Sequence, residues 1–266
     1  MSVVFMTGNH PRHLHMAQAI ARSGRLKGLV IETRESHVPE PPPGLPERTR
    51  ALFQQHFAGR ETAEARFFGT DHNLDQLGAE VAPVALDELN GPKIWSLLDR
   101  LKPDLLLSYG VHKLTPETLA HARGHRWNIH GGLSPWYRGT ITHFWPSYLL
   151  EPQMTGMTVH ELTEAIDGGD VVHHAIAEMV RGDGLHDVAC RAATALADEM
   201  PELVARALDG RLKPLHRQKT TGRIWRNSDW RPAHLHLVYD HYQNRIVDRF
   251  LDGDFGGGAP KLVRQF

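Results

Sequence analysis

The chain has 266 residues and a mass of 29.9 kDa, with 41% apolar and 23% charged side chains, enough to bury the core of one large domain with an appendage or of two small domains. Its 30 basic and 31 acidic residues exclude a polycation of the histone type and a highly charged disordered chain. A single cysteine, Cys190, excludes an internal disulfide framework and a zinc site built from cysteines. No apolar run approaches about 18 residues, and Met1–Gly8 lacks the basic lead-in of a signal peptide, so the cytoplasm is the expected location.

In chain order, strands are predicted to alternate with helices. Val3–Thr7 is a short apolar run ending at Gly8, and Pro11 suits the first turn of a helix through Arg22. Gly28–Thr33 is a second strand. Pro39–Gly44 is a stiff, proline-rich connection, part of a loop from Ser36 to Gly44 whose role in specificity the sequence does not disclose. Pro46–Phe68 reads as a long helix with Leu52, Phe53, His56 and Phe57 on one stripe, and Pro92–Leu101 as another. Pro103–Gly110 contains a continuous apolar run of the kind found in buried parallel strands. Thr115–Arg123 reads as helix, Trp127–His130, Thr155–Leu162 and Val171–Met179 as strands, and Gly184–Leu208 as a long alanine-rich helix. This alternation predicts an α/β fold with an open, mostly parallel, doubly wound sheet.

Charge is distributed unevenly. Residues 1–205 hold 18 basic and 25 acidic side chains, whereas residues 206–266 hold 12 and 6. The expected organisation is a catalytic domain over 1–205 followed by a basic C-terminal extension or small subdomain over 206–266.

The densest constellation of polar residues lies between Trp127 and Asp170. On a strand over Trp127–His130, Asn128 and His130 share a face, and the Gly131-Gly132 turn places them near the strand's carboxyl end, the edge where open α/β sheets bind ligands. Asp167 precedes two glycines in a loop that can bring its carboxylate against His130. Taken singly, each of these residues is an ordinary turn former. As a set they form an amide that can stabilise an oxyanion, an imidazole that titrates near neutrality and a carboxylate that supports it. No serine or cysteine stands as an obvious nucleophile, which favours direct attack by a substrate group.

The ordered motifs Asn128-x-His130, Pro135-Trp136-x-x-Gly139, Gly156-x-Thr158-x-His160 and Asp167-x-Gly169-Asp170 resemble those of the 10-formyltetrahydrofolate-dependent formyltransferases. That family spans glycinamide ribonucleotide, methionyl-tRNA and sugar N-formyltransferases. The resemblance covers residues 103–175, and by element order 1–200. It implies the Rossmann-like formyltransferase fold, a formyltransferase activity and 10-formyltetrahydrofolate as donor. It further implies that Asn128 binds the formyl oxygen, His130 acts beside it as acid or electrophile, and Asp167 pairs with that histidine to shuttle a proton. Tyr109, Val111, Lys113 and Leu114 match the segment whose backbone lines the pterin pocket, and His160 matches a second, supporting histidine. Candidate acceptor contacts are Asn9, His10, Tyr137 and Arg138. Gly132-Leu133-Ser134-Pro135 departs from the Ser-Leu-Leu-Pro run that usually follows the histidine. Gly8–His13 departs from the glycine- and serine-rich phosphate loop of the ribonucleotide enzymes.

These departures, and a tail shorter than a tRNA-binding domain, point to an amino sugar or nucleotide-linked amino sugar of surface-glycan biosynthesis as acceptor. Alternatives are a hydroxyornithine-type amino acid, initiator methionyl-tRNA docked on the basic tail, or a folate-binding module without turnover. Trp225, Trp230, Tyr239, Tyr242 and Phe250 in the tail suit packing against the main body and are compatible with a homodimer. The 19 histidines include His10/His13/His15, His121/His125, His173-His174 and His234-x-His236. Only His241 offers a third ligand to any of these groups, so no metal is expected. Cys190 reads as a small buried hydrophobe.

Overall fold

The structure is a computed structural model that describes residues 1–33, 38–219 and 223–266; Ser36 and His37, at the start of the loop from Ser36 to Gly44, lie outside these. Seven strands form one sheet: β1 (Val3–Gly8), β2 (Leu26–Glu32), β3 (Glu80–Val84), β4 (Leu105–Tyr109), β5 (His125–His130), then β7 (Gly156–Glu161) and β8 (Val171–Ile176). Their spatial order is β3-β2-β1-β4-β5-β7-β8. The first five run parallel, and β7 joins β5 and β8 antiparallel. A separate parallel pair joins β6 (Tyr137–Gly139) to β9 (Arg223–Trp225) in the tail.

Strand alternation sorts the core. Val3 and Phe5 of β1 belong to one buried cluster, with residues of α1 (Pro11–Ala21) and α6 (Leu185–Leu208). Val4 and Met6 belong to a cluster on the other side, with Ile94, Leu97 and Leu98 of α3 (Pro92–Leu101). Both faces of the parallel strands are therefore dry, which accounts for the continuous apolar run in β4.

Two elements run against simple sequence signals. β3 carries Pro83, which pairs in register with Ile31, and it is tolerated because β3 is the edge strand. α6 carries Pro201 in its interior, where the missing N–H leaves the carbonyl of Ala197 without its helical donor. Arg22, just beyond α1, donates from Nη2 to that carbonyl at 3.2 Å. The remaining helices are α2 (Glu47–Phe68), α4 (Pro116–Ala120), α5 (Trp145–Tyr148) and α7 (Ile246–Leu251). α4 is shorter than predicted because the backbone leaves the helix at His121 and turns into β5.

The tail is not set apart from the body. α6 continues through Leu208, past the expected boundary at 205, and Trp225 stacks on Trp145 at 4.1 Å between ring centres. Trp225, Leu235, Val238 and Tyr239 complete a third core with Leu52 and Phe53 of α2. The last residues return along β8: the Val263 and Gln265 N–H groups donate to His174 Nδ1 and His173 Nδ1, each at 3.1 Å, and Gln265 is 1% exposed. Among the tail's cations, Arg223, Arg245, Arg249 and Arg264 pair with Asp229, Asp248, Asp254 and Glu199. No helix among the described residues is long and apolar enough to cross a membrane.

Candidate active site

β4 and β5 are parallel neighbours, and their register sets Ser108 beside Asn128. Ser108 donates its hydroxyl to Asn128 Oδ1 at 2.8 Å, which orients the amide so that Nδ2 is the outward donor. The antiparallel pairing of β5 with β7 sets His160 opposite Asn128. His160 donates from Nδ1 to the Glu161 carbonyl at 2.8 Å. Its Nε2 lies 3.3 Å from Asn128 Nδ2 and 3.3 Å from Asp167 Oδ1. That nitrogen accepts from the amide when the ring is neutral and donates to the carboxylate when it is protonated.

His130 closes β5 and is 6% exposed. Its Nε2 donates to the Tyr137 carbonyl at 2.8 Å, and its Nδ1 is 3.4 Å from Asp167 Oδ2. The Gly132 position must lack a side chain, because a Cβ there would stand 2.7 Å from both His130 Nε2 and the Tyr137 carbonyl oxygen. Burial pushes the His130 pKa down, and the Asp167 charge and the Tyr137 carbonyl recover only part of that, so the ring is neutral at neutral pH. For Asp167, burial alone would raise the pKa. The charge that His130 carries when protonated, the neighbouring His160 ring and the Gly139 N–H, which donates to Oδ2 at 2.8 Å, more than reverse this and hold its pKa well below the usual carboxylate range.

The Asp167 backbone sits in the left-handed region at φ 45°, which aspartate tolerates better than most residues. Gln218 of the tail fixes that conformation by donating from Nε2 to the carbonyls of Asp167 at 2.8 Å and Gly169 at 2.7 Å. Gly139 serves the same loop from the other side. At φ 96°, with a would-be Cβ only 2.0 Å from the Trp225 carbonyl, glycine alone fits there.

Asn128, His130 and Asp167 open together onto a cavity of about 580 Å³ beside the carboxyl ends of β4 and β5. One wall is Tyr109, Gly110 and Val111, a second is the Gly139–Phe144 segment, and the rest comes from α1, α2, α6 and Trp230. The loop after β4 is held from outside. Glu32, 1% exposed, accepts the His112 N–H at 3.0 Å, while the Asn90 side chain accepts the Thr115 N–H at 2.9 Å and donates to the Lys113 carbonyl at 3.0 Å.

Of the sequence-derived candidates, Asn128, His130 and Asp167 converge, and Tyr109 and Val111 line the same cavity. Lys113 is exposed and Leu114 belongs to the core beneath the sheet, so neither side chain reaches the cavity. His160 is buried behind Asn128 and Asp167. Asn9 and His10 do not line the cavity; Arg12 and His13, on the first turn of α1, do. Nor do the side chains of Tyr137 and Arg138. The Tyr137 phenol donates to Glu151 at 2.6 Å and only its carbonyl meets His130, while buried Arg138 donates from Nε to the Ile166 carbonyl at 3.2 Å, pinning the loop before Asp167. The sequence reading missed His56, Arg60 and Glu64, which recur at four-residue intervals on α2 and face the cavity, together with His143, His186 and Gln218. The interval was the available signal. Among the described residues no three His, Cys, Asp or Glu side chains are grouped to hold a metal ion.

A family model described as formyl transferase matches residues 60–204. The fold is similar to that of phosphoribosylglycinamide formyltransferase from Anaplasma phagocytophilum, at 17% identity over 85% of this chain and 98% of that one, with a TM-score of 0.56. It is also similar to a sugar N-formyltransferase from a Shewanella species, at 16% identity over 86% and 78%, with a TM-score of 0.55. A third is a formyltransferase from Anoxybacillus kamchatkensis in complex with UDP-4,6-dideoxy-4-formamido-L-AltNAc and tetrahydrofolate, at 16% identity over 92% and 96%, with a TM-score of 0.54. At these identities the likeness is one of fold.

Proposed function

Because this chain belongs to the formyl transferase family, we propose that its cavity moves a formyl group from 10-formyltetrahydrofolate to the amine of a small acceptor, an amino sugar or a nucleotide-linked amino sugar. The observation that carries the reading is the convergence of one amide, one imidazole and one carboxylate on a single cavity whose next wall is the Tyr109–Val111 loop. Structures of the same fold include sugar N-formyltransferases, one of them holding a formylated nucleotide sugar and tetrahydrofolate, which supports both donor and acceptor class.

In this reading the amine nitrogen bonds to the formyl carbon, the bond from that carbon to N10 of the folate breaks, and one proton travels from the amine to N10. Asn128 Nδ2, oriented by Ser108, donates to the oxygen that becomes negative. His130 enters neutral, with its Nε2 proton committed to the Tyr137 carbonyl, so Nδ1 is the atom that receives the amine proton and later releases it. Asp167 steadies the ring while it is charged, and His160 Nε2, within 3.3 Å of both Asn128 Nδ2 and Asp167 Oδ1, backs one or the other. The Tyr109–Val111 wall and the pinned loop after it hold the pterin.

The tail supports a small acceptor over tRNA. Trp225 and Tyr239 are buried in its core, Trp230, Tyr242 and Phe255 pack against that core, and four of its arginines already sit in ion pairs. The test is to titrate the protein with 5-formyltetrahydrofolate, a stable analogue of the donor, and then to supply 10-formyltetrahydrofolate with amino sugars, nucleotide-linked amino sugars, hydroxyornithine and charged tRNA. Analogue binding followed by tetrahydrofolate release with an amino sugar supports the reading. Analogue binding without release on any amine favours a folate-binding module.

A further inference from the structure

A second cavity, of about 600 Å³, lies against the β6–β9 pair and shares no lining residue with the first. The side chains of Tyr137 and Trp225 line it. Their carbonyls serve the active site instead: that of Tyr137 accepts from His130 Nε2, and that of Trp225 accepts the Thr140 N–H at 2.9 Å. The same two strands thus border both cavities, and no step of the chemistry above uses the second one.

Its polar groups are incompletely matched. Gln153, 9% exposed, and Trp225, 7% exposed, line the cavity, yet neither Gln153 Oε1 nor Trp225 Nε1 has a hydrogen-bond partner among the described residues. One buried acceptor and one buried donor left unpaired are costly to the fold alone. The backbone makes room for the amide: at Gly257, φ 122°, a Cβ would stand 2.5 Å from Gln153 Nε2. Glu151 adds a further acceptor. Its Oε2 takes the Tyr137 hydroxyl at 2.6 Å, and no described residue donates to Oε1.

The walls are aromatic and the charge cancels. Trp136 is 36% exposed. The Trp225 ring is already covered by Trp145 and by the Arg223 guanidinium, each 4.1 Å from its centre, so Nε1–H is the group it has left to offer. Glu151 and Arg223 are the charged residues of the lining, and Arg223 also lies 3.6 Å from Asp229. The cavity therefore favours neither a strong anion nor a strong cation.

We propose that this second cavity binds a neutral, hydroxyl-rich ring, a saccharide unit, apart from the reacting amine. Such a ring lays an apolar C–H face on an indole and carries hydroxyls at its edge that donate and accept at once. One hydroxyl can donate to Gln153 or Glu151 while another accepts from Trp225 Nε1, a combination that an apolar ligand cannot supply. The inference goes beyond the formyl-transfer reading and does not depend on it, because it uses no group of the active site. Water can also complete such groups, so a solvated groove only is one outcome of the test.

The experiment is a ligand-observed NMR titration of wild type, Trp136→Ala and Gln153→Met. The probes are the methyl glycosides of glucose, galactose and N-acetylglucosamine, with cyclohexanol and glycerol as controls that keep only the ring or only the hydroxyls. At least one glycoside is expected to bind wild type saturably and each variant about tenfold or more weakly, and neither control is expected to bind. Gln153→Met removes an amide that has no partner, so its urea midpoint is expected to match or exceed that of wild type while its binding falls. Should that midpoint drop, the amide supports the fold and the exposed Trp136→Ala variant alone decides the binding. Failure of every glycoside to bind wild type leaves a solvated groove only and overturns the proposal. A glycoside that binds Trp136→Ala as it binds wild type sits elsewhere, the active site included, and overturns it equally. No arm of the experiment uses folate, so none of these outcomes bears on whether the chain transfers formyl groups.

Discussion

Asp167 Oδ2 stands 3.4 Å from His130 Nδ1, on a residue whose backbone is held in the left-handed region by Gln218, 51 positions further along the chain. The geometry of this pair depends on a tail segment that bonds a loop of the main sheet. The pairing predicts that Asp167→Asn, which keeps the shape and the acceptor for the Gly139 N–H but removes the charge, lowers kcat by about 10²–10⁴-fold. Binding of 5-formyltetrahydrofolate is expected to be unchanged. A kcat within threefold of wild type would contradict the assigned role.

Gln218 is a positioning residue. Gln218→Ala removes both donors to the loop and is expected to lower kcat about tenfold, on the principle that small displacements of a catalytic group are costly. The KM for donor should remain near wild type, since no folate contact is lost. Gln218→Glu cannot donate and should behave like alanine; restored activity in that variant would point to a role other than holding these carbonyls.

Acid should unfold the protein early. Burial holds His56 down to about 2, His143 to about 3, and His174 and His186 to about 4. The unfolded chain takes up these protons near pH 6.5, whereas the fold resists them until well below. Stability is therefore complete above about pH 6.5 and is lost as pH falls toward 4, by up to about 1.4 kcal/mol per pH unit for each group. Urea denaturation between pH 7.5 and 5 is expected to show this slope, reduced in His186→Asn. A flat profile across that range would rule out neutral burial of these rings.

Arg22 and Pro201 should be energetically coupled. Arg22→Gln strands the Ala197 carbonyl and is expected to cost about 1 kcal/mol. In a Pro201→Ala background the helix supplies its own N–H to that carbonyl, and the same change should cost measurably less. Chemical denaturation of the four proteins in the double-mutant cycle gives the coupling, and strict additivity would contradict the substitution of one donor for the other.

Much of the fold was legible because it follows from local pattern. The apolar run of β4, the Pro-led helices α1 and α3, and Asn128 and His130 on one face of β5 can each be read within a few residues. β3 was not, because Pro83 and Glu80, its two exposed positions, disguise an edge strand. His56 read as part of an apolar stripe because a buried neutral imidazole occupies such a stripe without disturbing its period. The Arg12–Glu64 pair and the Gln218 clamp join residues about fifty positions apart, a separation no local spacing encodes. The tail's return along β8 escaped notice for a related reason: its polar contacts there include the ring nitrogens of His173 and His174 as well as backbone.

In the proposed reaction His130 carries the proton during formyl transfer from folate to an amine. The most direct test of that role is steady-state absorbance of tetrahydrofolate release from 10-formyltetrahydrofolate with the best acceptor, comparing wild type with His130→Ala after confirming that both bind 5-formyltetrahydrofolate. Release in the wild type and a loss of at least about a hundredfold in the variant are expected. Equal release by a folded, folate-binding His130→Ala protein would contradict that role.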